Sequence, residues 1–297
     1  MSWLELSVRV SRQNAALVES LLETDTVLAV TLTDDADDPV LEPGVGETPL
    51  WPSVCVTALF SGDTDTTPLA QVLSLVPGID RPQQVSFRKF EDQQWERVWL
   101  DRFQAMQFGQ GLWIVPGDRD APAEAEYIIR LDPGLAFGTG THPTTQLCLQ
   151  WIDGHDFKGL TVIDYGCGSG VLGIAAAIKG AAKVICVDND PQALTATWDN
   201  AARNDIQDKL LVMAPEQFRQ TRADRCGAHV VLANILAGPL VDLAPVLLES
   251  LGPGGALVLS GLLVGQADEV VDAYSGELAG IQETVSDGWV LLTGRKS

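Results

Sequence analysis

The residues best placed to do chemistry lie in the stretch Asp164-Tyr165-Gly166-Cys167-Gly168-Ser169-Gly170 and, further on, at Asp188 and Asn234. Glycines at that spacing let a backbone turn tightly and let a ligand approach without meeting a Cβ atom. Asp188 follows Gly166 by 22 residues. An acid about 20 residues beyond such a turn sits at the tip of the next strand of a βαβ unit, where it accepts hydrogen bonds from ribose hydroxyls. Asn234 closes the apolar run Val230-Val231-Leu232-Ala233, so a carboxamide stands at another strand end. The combination points to a nucleotide-like ligand carrying a ribose.

The turn satisfies two fingerprints. Gly168-x-Gly170-x-x-Gly173, with Asp188 or Asp190 as the ribose acid, fits a dinucleotide. Gly166-x-Gly168-x-Gly170 preceded by Asp164 fits an S-adenosylmethionine-type site. Three features favour the second. Asp164 is an anion where a dinucleotide would place its pyrophosphate, whereas a sulfonium cofactor with an amino group accepts it. The chain ends in a hairpin instead of a second mononucleotide half. Asn234 puts a carboxamide at the fourth strand tip, where a nicotinamide enzyme more often calls for a proton donor near the hydride, and His142 is the one candidate for that role. A nicotinamide-dependent oxidoreductase and a non-catalytic module that keeps the cofactor fold stand as the alternatives.

The elements that position these residues alternate strictly from Leu160 onward. Leu160–Ile163 reads as a strand, Val171–Ile178 as a helix, Val184–Val187 as a strand ending in Asp188, and Pro191 to about Asn204 as a helix capped by Asp190. Strands at Lys209–Met213, His229–Ala233 and Ala256–Ser260 follow, with helices at Pro239–Ser250 and Gly265–Tyr274. A terminal hairpin, Ile281–Val285 and Trp289–Thr293, turns around Asp287-Gly288. Such a series makes a doubly wound, mostly parallel α/β sheet that binds ligands at the carboxyl ends of its strands. The first 90 residues differ. Their order, β-α-β-β-α-β, predicts a small ferredoxin-like α+β unit with an acidic loop at Asp34–Pro52. Between the two, Trp95, Val98, Trp99 and Phe103 recur at helical spacing and predict a linker helix over 91–106, a candidate hinge.

Composition narrows the function class. A net charge of -21 disfavours direct nucleic-acid binding and favours a cationic partner. The five cysteines form no C-x-x-C and only three histidines are present, so neither a disulfide frame nor a metal site is expected. The amino-terminal residues lack a signal-peptide pattern and Val230–Leu248 is interrupted by Asn234, Pro239, Asp242 and Pro245, which predicts a cytoplasmic protein with no membrane partner.

Along nearly its full length the chain resembles the bacterial methyltransferases of large-subunit ribosomal protein eleven. The resemblance is carried by Leu131-Asp132-Pro133-Gly134-Leu135-Ala136-Phe137-Gly138-Thr139-Gly140-Thr141-His142-Pro143-Thr144-Thr145, by Asp164 to Gly170, and by Ala233-Asn234-Ile235-Leu236-Ala237-Gly238-Pro239-Leu240. It implies a Rossmann-like class I methyltransferase with a seven-stranded sheet: 1–90 a substrate-recognition domain, 91–106 the linker, 107–297 the catalytic domain. It implies S-adenosyl-L-methionine as cofactor and methyl transfer to lysine side-chain and N-terminal amines of one basic ribosomal protein, by a monomer. Thr145, Gly166, Gly168, Asp188 and Asn234 are then expected at the cofactor, with Asn234 also orienting the amine. The glycine-rich loop 134–140 reads as a lid, Glu216 as a partner for the adenine amino group, and His142 as a loop packing residue.

Overall fold

Period-two alternation in the amino-terminal part is realised as strands with one dry face. In the computed structural model β1 (Ser2–Ser11) and β3 (Ser53–Ser61) bury Leu6, Val8, Val10, Val54, Val56, Ala58 and Phe60 completely or nearly so. Helix α1 (Arg12–Leu22) covers that face with Ala15, Val18 and Leu22. With β2 (Val27–Asp34), α2 (Thr67–Leu73) and β4 (Val85–Glu91) the order is β-α-β-β-α-β, and the antiparallel sheet runs β2-β3-β1-β4. The structure describes residues 2–24, 26–35, 50–79, 81–91, 104–117, 119–131, 140–220 and 227–297. They divide into two units, Met1–Val98 and Trp99–Ser297. Most of the acidic loop, of the expected linker helix and of the glycine-rich loop 134–140 lies outside the described residues. The two ends of the expected 91–106 helix are strand instead, Glu91 closing β4 and Met106 opening β5 (Met106–Phe108).

The second unit begins with a small sheet in which β5 pairs antiparallel with β6 (Leu112–Val115), and β6 pairs parallel with β7 (Tyr127–Arg130). After α3 (Pro143–Asp153) come β8 (Thr161–Tyr165), α4 (Val171–Ile178), β9 (Lys183–Val187), α5 (Pro191–Arg203), β10 (Leu210–Met213) and α6 (Pro215–Gln220). The chain continues with β11 (Ala228–Asn234), α7 (Ala237–Asp242), α8 (Ala244–Ser250), β12 (Leu251–Leu263), α9 (Ala267–Tyr274), β13 (Leu278–Ser286) and β14 (Trp289–Lys296). The seven strands run in the order β10-β9-β8-β11-β12-β14-β13, parallel through β12 and antiparallel at the last two joins. Strands buried on both faces read as unbroken apolar runs. Val162, Val184, Val230, Leu232 and Val258 face α3 and α4, while Ile163, Ile185, Val231, Ala233 and Leu257 face the side of Phe218, Leu240, Leu247 and Tyr274. Each fully buried aliphatic side chain of this kind contributes about 1.5–3 kcal/mol.

Two expectations change. The single helix over Pro239–Ser250 is two, broken at Leu243 (φ -88°, ψ -2°), because Pro245 has no N–H for the carbonyl a turn behind it. The strand expected at Ala256–Ser260 runs from Leu251 to Leu263 and changes register between Leu259 and Leu262. The terminal hairpin turns at Asp287 and Gly288, both with positive φ (50° and 80°), as a two-residue primed turn requires.

Candidate active site

Strand order reverses beside β8, whose neighbours are β9 on one side and β11 on the other. A cavity of about 680 Å³ opens at the carboxyl ends of these strands. Crevices outside such a switch point are where open α/β sheets bind ligands, and the volume suits a nucleoside-sized one. Its wall includes Gly166 and Asp188, the residues just past β8 and β9, Glu216 and Arg219 from α6, Asn234 from β11, and Trp289 from β14.

The glycine turn is built around an acid that does not itself reach the cavity. Gly170 caps α4 in a left-handed conformation and has no side chain with which to satisfy the first free N–H groups of the helix. The Asp164 carboxylate does so from below: Oδ2 accepts the Gly173 N–H at 2.8 Å. Gly173 must lack a Cβ, which would stand 2.9 Å from Cys186 Sγ and 3.1 Å from Asp164 Oδ2. Asp164 is 1% exposed and its Oδ1 has no partner among the described residues. Burial, with the nearby Asp188 carboxylate adding to it, pushes its pKa up to about 7 against the pull of the Gly173 N–H. Thus Asp164 supports the turn and lies behind the cavity wall. Gly166 forms the wall itself: its φ is +75°, and any Cβ there would collide with the Ile235 side chain.

Gly168 and Asp188 work as a pair. The Gly168 N–H donates to Asp188 Oδ2 at 2.8 Å, and the Asp190 N–H donates to Oδ1 at 3.0 Å. Each carboxylate oxygen keeps a free lone pair for ribose hydroxyls. Gly168 is itself partly exposed. Thr145 is fully buried in the first turn of α3, and its neighbour Thr144 lines the cavity. Thr145 Oγ1 accepts from Asn234 Nδ2 at 3.3 Å. Asn234 Oδ1 is buried and has no partner among the described residues.

Sequence reasoning missed the aromatic side of the cavity. Trp289 packs edge-on against His142, with ring centroids 4.7 Å apart. His142 is the N-cap of α3: its Nδ1 accepts the Thr144 N–H at 3.4 Å and lies 2.8 Å from Thr144 Oγ1. Burial lowers its pKa, so the ring is neutral at pH 7, and the occupied Nδ1 leaves its proton on Nε2. The sequence signal was present, a His-Pro pair opening a helix, but only folding brings it to Trp289, 147 residues later. Glu216, expected near the adenine, does line the cavity.

A family model described as Ribosomal protein L11 methyltransferase (PrmA) matches residues 2–297. Relatives named ribosomal protein L11 methyltransferase from Pseudomonas fluorescens (strain Pf0-1) and Cellvibrio japonicus (strain Ueda107) are each 47% identical to this chain; the alignments cover 100% of it, and 100% and 99% of theirs. Among solved structures, a ribosomal protein L11 methylase from Lactobacillus delbrueckii subsp. bulgaricus superposes with a TM-score of 0.58 at 34% identity, covering 66% of this chain and 100% of that one.

Proposed function

This chain belongs to the ribosomal protein L11 methyltransferase family, and on that premise we propose how its own residues carry out methyl transfer. It is an S-adenosylmethionine-dependent enzyme that methylates ribosomal protein L11, which sets aside the nicotinamide and non-catalytic alternatives. The cavity fits the cofactor on three counts: a bare backbone edge at Gly166, spare carboxylate lone pairs at Asp188, and a side-chain amide at Asn234 whose oxygen has no partner among the described residues. When bound, S-adenosylmethionine supplies a methyl group on an electrophilic sulfonium centre.

Gly166 lets the backbone lie against the cofactor, Asp188 accepts its ribose hydroxyls, and Glu216 faces its adenine. Gly168 holds the Asp188 carboxylate in place, and Thr145 contributes from behind Asn234. An attacking amine must be neutral, yet a free lysine has a pKa of ~10.4. Desolvation in the cavity lowers that value. Asn234 Oδ1 accepts an N–H of the neutral amine and turns its lone pair toward the donor. As positive charge grows on nitrogen, the same carbonyl dipole takes it up. Neutral His142, with its proton on Nε2, serves as a wall beside Trp289 and not as a base; water removes the proton. The observation that supports this reading most is the single cavity at the strand ends that Gly166, Asp188 and Asn234 line together.

The amino-terminal unit, read as ferredoxin-like over 1–90, is the substrate-recognition domain, with 91–106 as linker and 107–297 as catalytic domain. Lysine side-chain and N-terminal amines of the ribosomal protein are the acceptors. The net charge of -21 supports a cationic protein substrate over nucleic acid. A cytoplasmic monomer without a membrane partner fits the sequence, and no helix among the described residues is long and apolar enough to cross a membrane. Titration calorimetry with S-adenosylmethionine, followed by intact mass measurement of ribosomal protein L11 after incubation with enzyme and cofactor, tests the proposal. Saturable heat and whole-methyl mass gains are expected; no heat and an unchanged mass would overturn it.

A further inference from the structure

We propose that the second unit holds another ligand site, for a small aromatic oxyanion with an N–H donor, where Trp151, His155, His229 and Arg295 line one cavity. It lies at the amino ends of β8, β11 and β12, whereas the catalytic cavity opens at their carboxyl ends. The two cavities share no lining residue.

Strand register assembles the site. Val230, Ala256 and Arg295 pair across β11, β12 and β14, so they form one row. Val230 and Ala256 belong to the side-chain layer packed with α3, and Arg295 ends the row. The last turn of α3 brings Trp151 to it, and the chain leaving the helix brings His155 and Phe157. The cavity measures about 400 Å³, within the range of small-molecule sites.

The polar groups of the sheet side select an oxyanion. The chain has 40 Asp and Glu against 19 Lys and Arg, yet Arg295 forms no ion pair among the described residues. Its Nη1 donates to Gly254 O at 3.1 Å, which anchors the guanidinium and leaves further N–H groups for a forked contact. His229 adds a donor: its Nδ1 accepts the Thr161 N–H at 3.0 Å, so the neutral ring carries its proton on Nε2.

The helix side offers acceptors. His155 Nδ1 donates to Trp151 O at 2.7 Å, so Nε2 of the neutral ring keeps its lone pair. Asp156, the one acid among the described lining residues, accepts the Lys158 N–H on Oδ1 at 2.9 Å and keeps Oδ2 for another donor. The Trp151 and His155 rings stack with centroids 4.0 Å apart, and Phe157 meets Trp151 edge-on at 6.2 Å. These rings give a planar body an aromatic surface.

The test is calorimetric titration of indole carboxylate into full-length protein saturated with S-adenosylmethionine, which keeps the probe out of the catalytic cavity. One saturable site is expected. Indole, without the oxyanion, should bind at least about tenfold more weakly, the loss of a charge-assisted hydrogen bond. Naphthoate, without the N–H group, should bind more weakly by about fivefold, the loss of a neutral one. Arg295→Gln should lose at least about tenfold in affinity for indole carboxylate, and Arg295→Lys less, because lysine keeps the charge but not the fork. Both variants should bind S-adenosylmethionine as the wild type does. Equal affinities for indole carboxylate and indole, or for wild type and Arg295→Gln, overturn the proposal. So does the absence of saturable heat, or heat seen only when S-adenosylmethionine is left out. The probe comparison on the wild-type protein decides the matter even where a variant fails to fold. Methyl transfer to ribosomal protein L11 is not part of the readout, so the site stands apart from the function proposed above.

Discussion

Asp164→Asn isolates the electrostatic strain beneath the glycine turn. Aspartate ordinarily titrates at 3.8, but burial in the folded unit pushes this one up to about 7. Between those values the native state holds a proton that the unfolded chain has released, so stability falls as pH rises through the window and levels off above it. At about 1.4 kcal/mol for each pH unit of that window, the full loss above pH 7 is about 4 kcal/mol, and roughly 2–3 kcal/mol of it falls between pH 5 and pH 8. Asparagine keeps an oxygen for the Gly173 N–H and nearly the same volume but cannot ionise. The stability of Asp164→Asn minus that of wild type should therefore increase by roughly 2–3 kcal/mol from pH 5 to pH 8, whatever the offset at either end. Urea unfolding of both full-length proteins at several pH values measures it, with the transition of the Met1–Val98 unit as an internal reference expected to be the same in both. A difference that stays flat with pH would refute the account of Asp164 as a buried acid held by one backbone N–H.

The remaining predictions concern the cavity. Asp188→Ala removes the ribose acceptor and also frees the N–H groups of Gly168 and Asp190; at about 1.5–3 kcal/mol for each hydrogen bond to a charged group, S-adenosylmethionine affinity should fall by at least about 10²-fold in calorimetry, and an unchanged value would count heavily against the site. Gly166→Ala should weaken cofactor binding and lower stability together, because the new Cβ meets Ile235 at a positive φ; thermal melts with and without cofactor read both effects, and a fully stable, fully binding variant would contradict the close approach. Asn234→Ala should lower kcat by about 10²-fold, as loss of a transition-state dipole does, with a smaller loss in cofactor affinity; equal losses in both would remove Asn234 from the chemical step.

Much of this site was legible in the chain itself because its signals are local. The turn Gly166–Gly170, the acid at the next strand tip and the Asp287-Gly288 hairpin each follow from residues within one βαβ unit or one turn, where glycine conformation and strand period leave few choices. The break at Leu243 was also written locally, in Pro245, but apolar periodicity on both sides of it masked the signal. Tertiary structure decided which of the marked residues touch the cavity. Thr145 is buried as a partner of Asn234 and Gly168 donates to Asp188, while Trp289 and His142, 147 residues apart, meet in the cavity wall. The reason is physical: spacing along a strand or helix fixes which residues share a face, but which face meets a ligand depends on the packing of elements distant in sequence. In this protein that packing turns a threonine and an asparagine 89 residues apart into one hydrogen-bonded pair.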